Sequence, residues 1–521
     1  MSINARNKVV TLRGGKRSPN LFAPLFLASF VILVVEFTPL LLRLHFSSDS
    51  YHLIVDQHTT WYLQCGRYTF WLFSCFFDRM GINLVLAQRY FIAFCIVMLA
   101  ISSALLADLY AGLCGLKGDL KSTLLVLPAT LVWGNVFVED WILFPEVAGM
   151  IALGAISLTL AIRFSLKGES VLSILASFAF LFVSLGCYQS LVGSYVAAVV
   201  IGAILESRDS LNGFWKKALI GILLGVACAV SNVAILKHIA MVLGDSGRGS
   251  SFSLPVILSN CYTLAAYQLK LFLNADGLLG VPAMQVLELG LLLLLVSVFR
   301  RSFGRGVAYI GAFAVALAAS YAPHYIEANI ILSPRSNVAV WMVLGCILMA
   351  LLCECLLDDC ACRREDDAAL VPSARAKTFV AAAAVLIAFM AVNAGFMWDI
   401  AYDVYASNVQ DRQYAQQISH KIRDYEHETG NTVCGIGIVG DAHSQTTYPE
   451  TRYHVAELGR RIVNCPYANV EMINYVGGLN LQTLTVSAEE KASLFGDEDW
   501  SYINLDEQLI FVGDKAYLAL Y

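Results

Sequence analysis

The chain has 521 residues, of which 58% are hydrophobic and 14% charged, with a formal net charge of −5 and a mean hydropathy of +0.65. Soluble globular domains carry about 25% charged residues, so the composition excludes an ordinary soluble enzyme, and no nucleic acid is expected among its partners. The charges collect in short breaks between apolar runs long enough to cross about 30 Å of hydrocarbon, the pattern of an α-helical polytopic membrane protein.

The first 20 residues carry Arg6, Lys8, Arg13, Lys16 and Arg17 ahead of the run LFAPLFLASFVILVVEFTPLLLRL. That run is too long for the core of a cleavable signal, and its end, with Glu36 and Pro39, does not resemble a cleavage site. It is predicted to be the first span, with residues 1–20 as a basic cytoplasmic arm. Further spans are predicted at 88–112, 122–138, 142–162, 170–187, 189–206, 218–243, 281–299, 306–323, 337–357 and 377–398. With residues 21–44 this makes about eleven, N-terminus inside and C-terminus outside. Lys117, Lys121, Arg163, Lys167, Arg208, Lys216, Lys217, Arg300, Arg301, Arg305, Arg363, Arg364, Arg375 and Lys377 then all fall in inside loops, as the positive-inside rule requires.

The outward segments are 45–87, the pair 139–140, 244–280 and 324–336. Within them, YTFWLFSCFF and LPVILSNCYTLAAYQLKLFLNADG are expected at the membrane interface or as re-entrant elements; counting the second as a span would spoil the charge bias. After residue 398 the chain turns polar. A helix over MWDIAYDVYASNVQDRQYAQQISHKIRDYEHETG is followed by strands at NTVCGIGIVG, NVEMINYVGG and QLIFVGDKAYLAL, so that 399–521 form a small extracytoplasmic α/β domain. Its two cysteines, Cys434 and Cys465, are placed where they could form a disulfide on the oxidising side.

Chemistry-bearing residues gather in the outward loops. Asp49 follows the first span directly, at the depth where a lipid headgroup would lie, and a carboxylate there can take the proton from an acceptor hydroxyl. Asp56 is seven residues on, which would share a helical face with Asp49, or would simply be a solvated edge. Glu139 and Asp140, between Trp133 and Trp141, are either a second catalytic carboxylate pair or a charged turn in an aromatic belt. A divalent cation such as Mg or Mn would need more ligands than the sequence assigns. Arg67, Arg248, Lys270, His324 and Arg335 run against the inside bias and are candidates for binding a phosphate. Glu36 and Lys237, inside spans, need a partner or a route to water. In CECLLDDCAC the C-x-C spacings of Cys353, Cys355, Cys360 and Cys362 are not those of structural zinc. The glycine loops lack the phosphate-loop pattern, so an outward-facing enzyme would take its donor from a membrane lipid.

Three passages carry a resemblance: the first span followed by SSDSYHLI and WYLQCGRYTF, then GCYQSLVGSYVAAVV, then LSPR before a late span. Over roughly residues 20–400 the chain resembles the GtrII family of polytopic membrane glucosyltransferases, which are GT-C-like. The resemblance implies transfer of a glucosyl unit from undecaprenyl phosphate to a cell-surface glycan such as the O-antigen of lipopolysaccharide. It implies a bacterial inner-membrane location, a periplasmic C-terminal domain, membrane lipids as surroundings, and a donor synthase and flippase as partners. Asp49 maps onto the usual catalytic acid, and Trp61, Gly66 and Arg67 onto the W…GR element. His52, Trp61, Tyr188 and Gln189 become expected substrate contacts. Where related loops carry two adjacent acids, Asp49 is followed by Ser50, so a second acid must come from Asp56 or from Glu139 and Asp140, or be absent. The competing class is a glycolipid transporter or a noncatalytic assembly protein, although no internal duplication of the transporter kind is evident.

Overall fold

Apolar length decides where the first helices form, and glycine and polar breaks decide where they stop. The computed structural model describes residues 22–521 apart from 58–59, 117–119, 169, 208–210, 245–252, 275–279, 329, 331, 363–373, 441–445, 497, 499 and 501. The basic arm and Arg248 lie outside the described residues. Helix α1 (Phe22–Leu42) is the first apolar helix of spanning length, and three short helices follow in the connection to the next: α2 (Ser50–Val55), α3 (Trp61–Gln64) and α4 (Tyr68–Arg79). Helix α5 (Gln88–Leu113) returns through the bundle, packed against α1.

The next expected span is not one rod. It comprises α6 (Val126–Leu131) and α7 (Val136–Ile142), with a bend of 54° between the two segments. The Asn135 side chain accepts from the N–H groups of Phe137 and Val138 and starts the second piece, the ordinary solution for the bare donors at a helix N-terminus. There follow α8 (Ala148–Lys167), α9 (Val171–Leu185), α10 (Leu191–Glu206), α11 (Leu211–Leu243), α12 (Leu254–Leu273), α13 (Met284–Phe299), α14 (Phe303–Ser320), α15 (Ala339–Cys362) and α16 (Ala374–Thr429). Eight of the described helices, or nine counting the bent pair, are long and apolar enough to cross a membrane, and α9, α10 and α13 are shorter apolar helices. The protein is therefore a polytopic α-helical membrane protein.

Helix α10 is buried from Leu191 to Leu205, as an all-round apolar helix in a bundle core should be. Its Gly193 lies against backbone of α14, where a Cβ would meet the Ala319 carbonyl oxygen at 2.5 Å. The small residues after Tyr188 thus serve close helix approach. At the end of the bundle away from Asp49, Arg163 pairs with Asp108 at 3.2 Å, Lys217 with Glu206 at 2.6 Å, and Arg305 with Glu354.

Helix α12 is a continuous 20-residue helix that passes the length and composition test as the least apolar of the eight, whereas the sequence pointed to an interfacial or re-entrant element. Among the described residues it packs chiefly on the segment 322–326 and, less, on α13. Asn260 donates to the carbonyls of His324, Tyr325 and Glu327 at 2.9–3.1 Å, and Gln268 accepts from Tyr321. Two residues eight positions apart, about 12 Å along the axis, therefore both bond to the segment 321–327.

Helix α16, about 84 Å long by its 56 residues, carries the chain out of the bundle into the C-terminal domain. There β1 (Gly435–Gly440), α17 (Asn469–Gly477), β2 (Gln482–Leu484), α18 (Ala488–Phe495), α19 (Leu505–Gln508), β3 (Leu509–Val512) and β4 (Lys515–Leu520) form a four-stranded sheet of order β2-β1-β4-β3 with its helices. Strand β1 is parallel to β2 and β4, with Ile436 opposite Ala516, and QLIFVGDKAYLAL, expected as a strand, folds into the antiparallel pair β3 and β4. NVEMINYVGG, by contrast, is the helix α17. Val470, Ile473 and Gly477 make its buried face, a helical and not an alternating spacing, and Gly477 packs on Ser419 of α16.

Candidate active site

Asp49 precedes α2 in the connection between α1 and α5. Its backbone N–H donates to the Ser47 hydroxyl at 3.1 Å, and Ser48 donates to its carboxylate at 3.3 Å. Ser47 and Ser50 in turn donate to the two carboxylate oxygens of Glu146, at 2.8 and 3.0 Å. The SSDS run is thus folded around a second acid from the short turn Pro145–Val147 just ahead of α8. Burial holds the Asp49 carboxyl above the ordinary carboxylate range and the neighbouring Glu457 carboxylate adds to this, while Arg335, Arg67 and a hydrogen bond from Tyr467 work the other way.

The three passages that carried the resemblance meet around this acid. Gly66 adopts φ +73°, which favours glycine, and a Cβ on it would press on the Gln189 amide. Gln189 donates to the Cys65 carbonyl, and the Arg67 guanidinium lies 5.2 Å from the centre of the Tyr188 ring. Tyr188 itself packs on Trp141, with ring centroids 4.5 Å apart. Arg335, from LSPR, donates its backbone N–H to Asp140 at 3.0 Å and pairs with the same carboxylate at 3.7 Å. Its guanidinium also pairs with Glu457 of the C-terminal domain and lies 4.2 Å from the Phe144 ring centre. Nε of Arg67 and Nη1 of Arg335 are buried and have no hydrogen-bond acceptor among the described residues. Buried donors of this kind are exceptions that call for a ligand or a strain to explain them.

A cavity of about 480 Å³ opens beside Arg67, between the α9–α10 turn, α11 and the segment 322–336. Arg67, Gln189, Lys237, His324 and Glu327 supply polar lining, while Leu185, Val192, Val233 and Leu236 supply an apolar wall. His324 is fixed by contacts from Nδ1 to Glu327 at 3.0 Å and from Nε2 to the Ser336 carbonyl at 3.4 Å. The combination suits an anionic head on an apolar tail.

Other expected site residues go elsewhere. Asp49 and Asp56 flank α2 at its two ends, and both carboxylates act on His52 between them, but Asp56 is not among the residues lining the cavity. Gln57 then turns inward to bond the backbone of Ser74, Ile82 and Leu84. His52 is not among the residues lining the cavity. It contacts Glu471 of α17 at 3.0 Å, and that partner raises its pKa against the opposing effect of partial burial. Trp61 is 47% exposed, outside the cavity. Glu139 and Asp140 are not a solvent-facing turn; both are buried in α7. Helical phase parts them, Asp140 facing Arg335 and Glu139 facing inward toward Glu36. Lys270 is exposed on α12, off the buried stripe of Asn260, Leu264, Tyr267 and Leu271. Cys434 and Cys465 are separate free thiols, one exposed before β1 and one buried beside Arg461, so the expected disulfide is not formed. Cys353 and Cys355 are buried in α15.

No group of three or more His, Cys, Asp or Glu among the described residues could hold a metal ion. With Asp140 engaged by Arg335, the donor set does not fit Mg or Mn. Sequence reasoning missed Glu146, Glu457 and Tyr467. Glu146 carried a faint signal in its FPE turn, directly ahead of α8, whereas Glu457 and Tyr467 lie in a domain without a recognisable motif.

Neither a curated protein nor a solved structure matches the chain. The model of the family described as glucosyl transferase GtrII matches residues 38–352, which include Asp49, Arg67, the Tyr188–Gln189 turn and Arg335 and end before the C-terminal domain. More than half of the chain is covered, and the protein belongs to the GtrII glucosyl transferase family.

Proposed function

We propose that this GtrII-family protein transfers a hexosyl unit, glucosyl in the simplest case, from a polyprenyl phosphate to a hydroxyl of a cell-surface glycan on the outer face of the membrane. The observation that carries the reading is the meeting of Asp49 with Arg67 and Arg335 beside a cavity with a cationic end and an apolar wall. In this reading Asp49 takes the proton of the acceptor hydroxyl, whose oxygen forms the new bond to the anomeric carbon. The bond from that carbon to the phosphate oxygen breaks, with inversion, and the polyprenyl phosphate leaves. Arg67 and Arg335 hold the phosphate and offset its charge. Phosphate leaves as a weakly basic anion, so no strong general acid is required.

The same reading keeps eleven crossings. Helices α6 and α7 count as one bent crossing, and α12 lies along the outer end, as its bonds to the segment 321–327 suggest. Asp49, Arg335 and the C-terminal domain then face outward, and the Arg163, Lys217 and Arg305 end faces the cytoplasm, in line with the charge bias.

One feature favours a glycolipid translocator instead. Both carboxyl oxygens of Glu36 are buried without a hydrogen-bond partner among the described residues, and unpaired acids in spans often mark transport paths. Purified protein in lipid vesicles, given radiolabelled undecaprenyl phosphate–glucose and a crude surface-glycan acceptor, separates the two. Label moving into the glycan supports the transferase, whereas label crossing the bilayer while still on the lipid supports the translocator.

A further inference from the structure

Arg335 is surrounded by acids of unequal mobility. Asp140 is 1% exposed and is tied to Arg335 twice, through the guanidinium and through the backbone N–H. Glu457 is 37% exposed and reaches Arg335 from another domain. It sits on a tight turn, in which Val455 and Leu458 form an isolated bridge. The turn is pinned at its base. The N–H groups of Arg452 and Tyr453 donate to Asp403 at 3.0 and 2.9 Å, and that of Ile462 donates to Asp411 at 2.9 Å. Between these anchors Ala456, beside Glu457, adopts φ +57°. This left-handed conformation is disfavoured for a residue with a side chain, and such strain gathers at ligand clamps and switches.

Charge sets the problem that this turn poses. Asp140 and Glu457 both pair with Arg335, and Asp49 and Glu146 are close enough to act on each other beside it, so carboxylates already crowd this guanidinium. A phosphate cannot be held there until an acid withdraws, because like charges at contact disfavour one another. Asp140 is locked, and Asp49 is needed at the reacting hydroxyl. Glu457 is the acid free to leave.

We propose that Glu457 stands on Arg335 at the position of the donor phosphate, so that the 455–458 turn of the C-terminal domain is displaced each time a polyprenyl phosphate is seated. The inference rests on the reading of Arg335 as a phosphate ligand. It gives the C-terminal domain, which lies outside the family match, a direct place in the site. A carboxylate that already satisfies the guanidinium also keeps other anions from occupying it. Apparent affinity is the intrinsic affinity reduced by the fraction of uncovered sites, so a turn closed nine-tenths of the time weakens donor binding about tenfold.

The test uses the full chain in phosphatidylcholine nanodiscs, titrated with undecaprenyl monophosphate. Wild type is compared with Glu457→Gln and with Arg335→Lys, which keeps a charge against Asp140 but loses the planar fork. Hydrogen exchange of residues 452–461 is followed with and without the lipid. The expected result is several-fold tighter binding by E457Q, weaker binding by R335K, and faster exchange in the wild-type turn when lipid is bound. If R335K binds weakly while E457Q binds no better than wild type, or if the turn does not loosen on lipid binding, Arg335 remains a phosphate ligand and the displacement is wrong. If no variant binds the lipid, or if binding ignores both substitutions, the donor reading and the displacement fall together.

Discussion

The Arg67 guanidinium lies 5.2 Å from the centre of the Tyr188 ring, joining the first outer loop to the turn between α9 and α10. The contact aims a cation into the cavity and leaves its Nε without an acceptor among the described residues. A cation over an aromatic face is worth about 0.5–2 kcal/mol. Tyr188→Leu should therefore raise the donor KM several-fold with a smaller effect on kcat, and Tyr188→Phe, which keeps the ring, should stay close to wild type. Steady-state kinetics on the three proteins check this.

Asp140 is buried against Arg335, and removing one member of such a pair strands the other charge at a cost of about 3–5 kcal/mol. Arg335→Gln alone should lower stability by this order. The double variant Arg335→Gln/Asp140→Asn should recover much of the loss. Denaturant unfolding in one detergent across the cycle measures the coupling.

The carboxyl of Asp49 titrates above its ordinary value because burial penalises its charge. As the base it works ionised, so transfer should rise with pH along a limb centred above the usual aspartate pKa of about 4. Stability runs the other way: the folded chain holds this proton more tightly than the unfolded one. The Asp49 contribution therefore falls as pH climbs from the unfolded to the folded value. A pH–rate profile of kcat/KM, with unfolding followed over the same range, reports both.

His52 and Glu471 link the outer loop to α17 at 3.0 Å, with the His52 pKa raised chiefly by that hydrogen bond. The contribution is full below the unfolded value of about 6.5 and is lost as pH rises through the higher folded value. Because the pair is partly exposed, it should contribute no more than about 0.5 kcal/mol. Protection of α2 and α17, taken as the exchange rate relative to the intrinsic rate at each pH, should fall modestly between pH 6 and pH 8.5 in wild type, and Glu471→Gln should flatten that fall.

Much of this arrangement is legible in the chain because it is written locally. Apolar length announces α1, α5 and α8, and a Pro-Arg pair just before a span marks Arg335. Glu139 and Asp140 were misjudged because a break at Val132–Asn135 turns what looked like a loop into a helix, and adjacent residues on a helix point about 100° apart. Helix α17 differs from the expected strand because a short apolar run has an ambiguous period; its face is defined by packing on α16, on α2 and on the turn at 462–464. Glu457 was invisible for a different reason. Its partner lies on another domain, and nothing near it in sequence encodes that meeting.

The central claim is that Asp49 is the base of a glycosyl transfer, and replacing one carboxylate oxygen tests it most directly. Asp49→Asn keeps the side-chain shape while removing the charge. Transfer from undecaprenyl phosphate–glucose to a surface glycan should drop by about 10²–10⁴-fold, the usual worth of a positioned base, with the thermal midpoint held or raised since a buried charge has gone. Transfer at the wild-type rate in a folded Asp49→Asn protein would contradict the account.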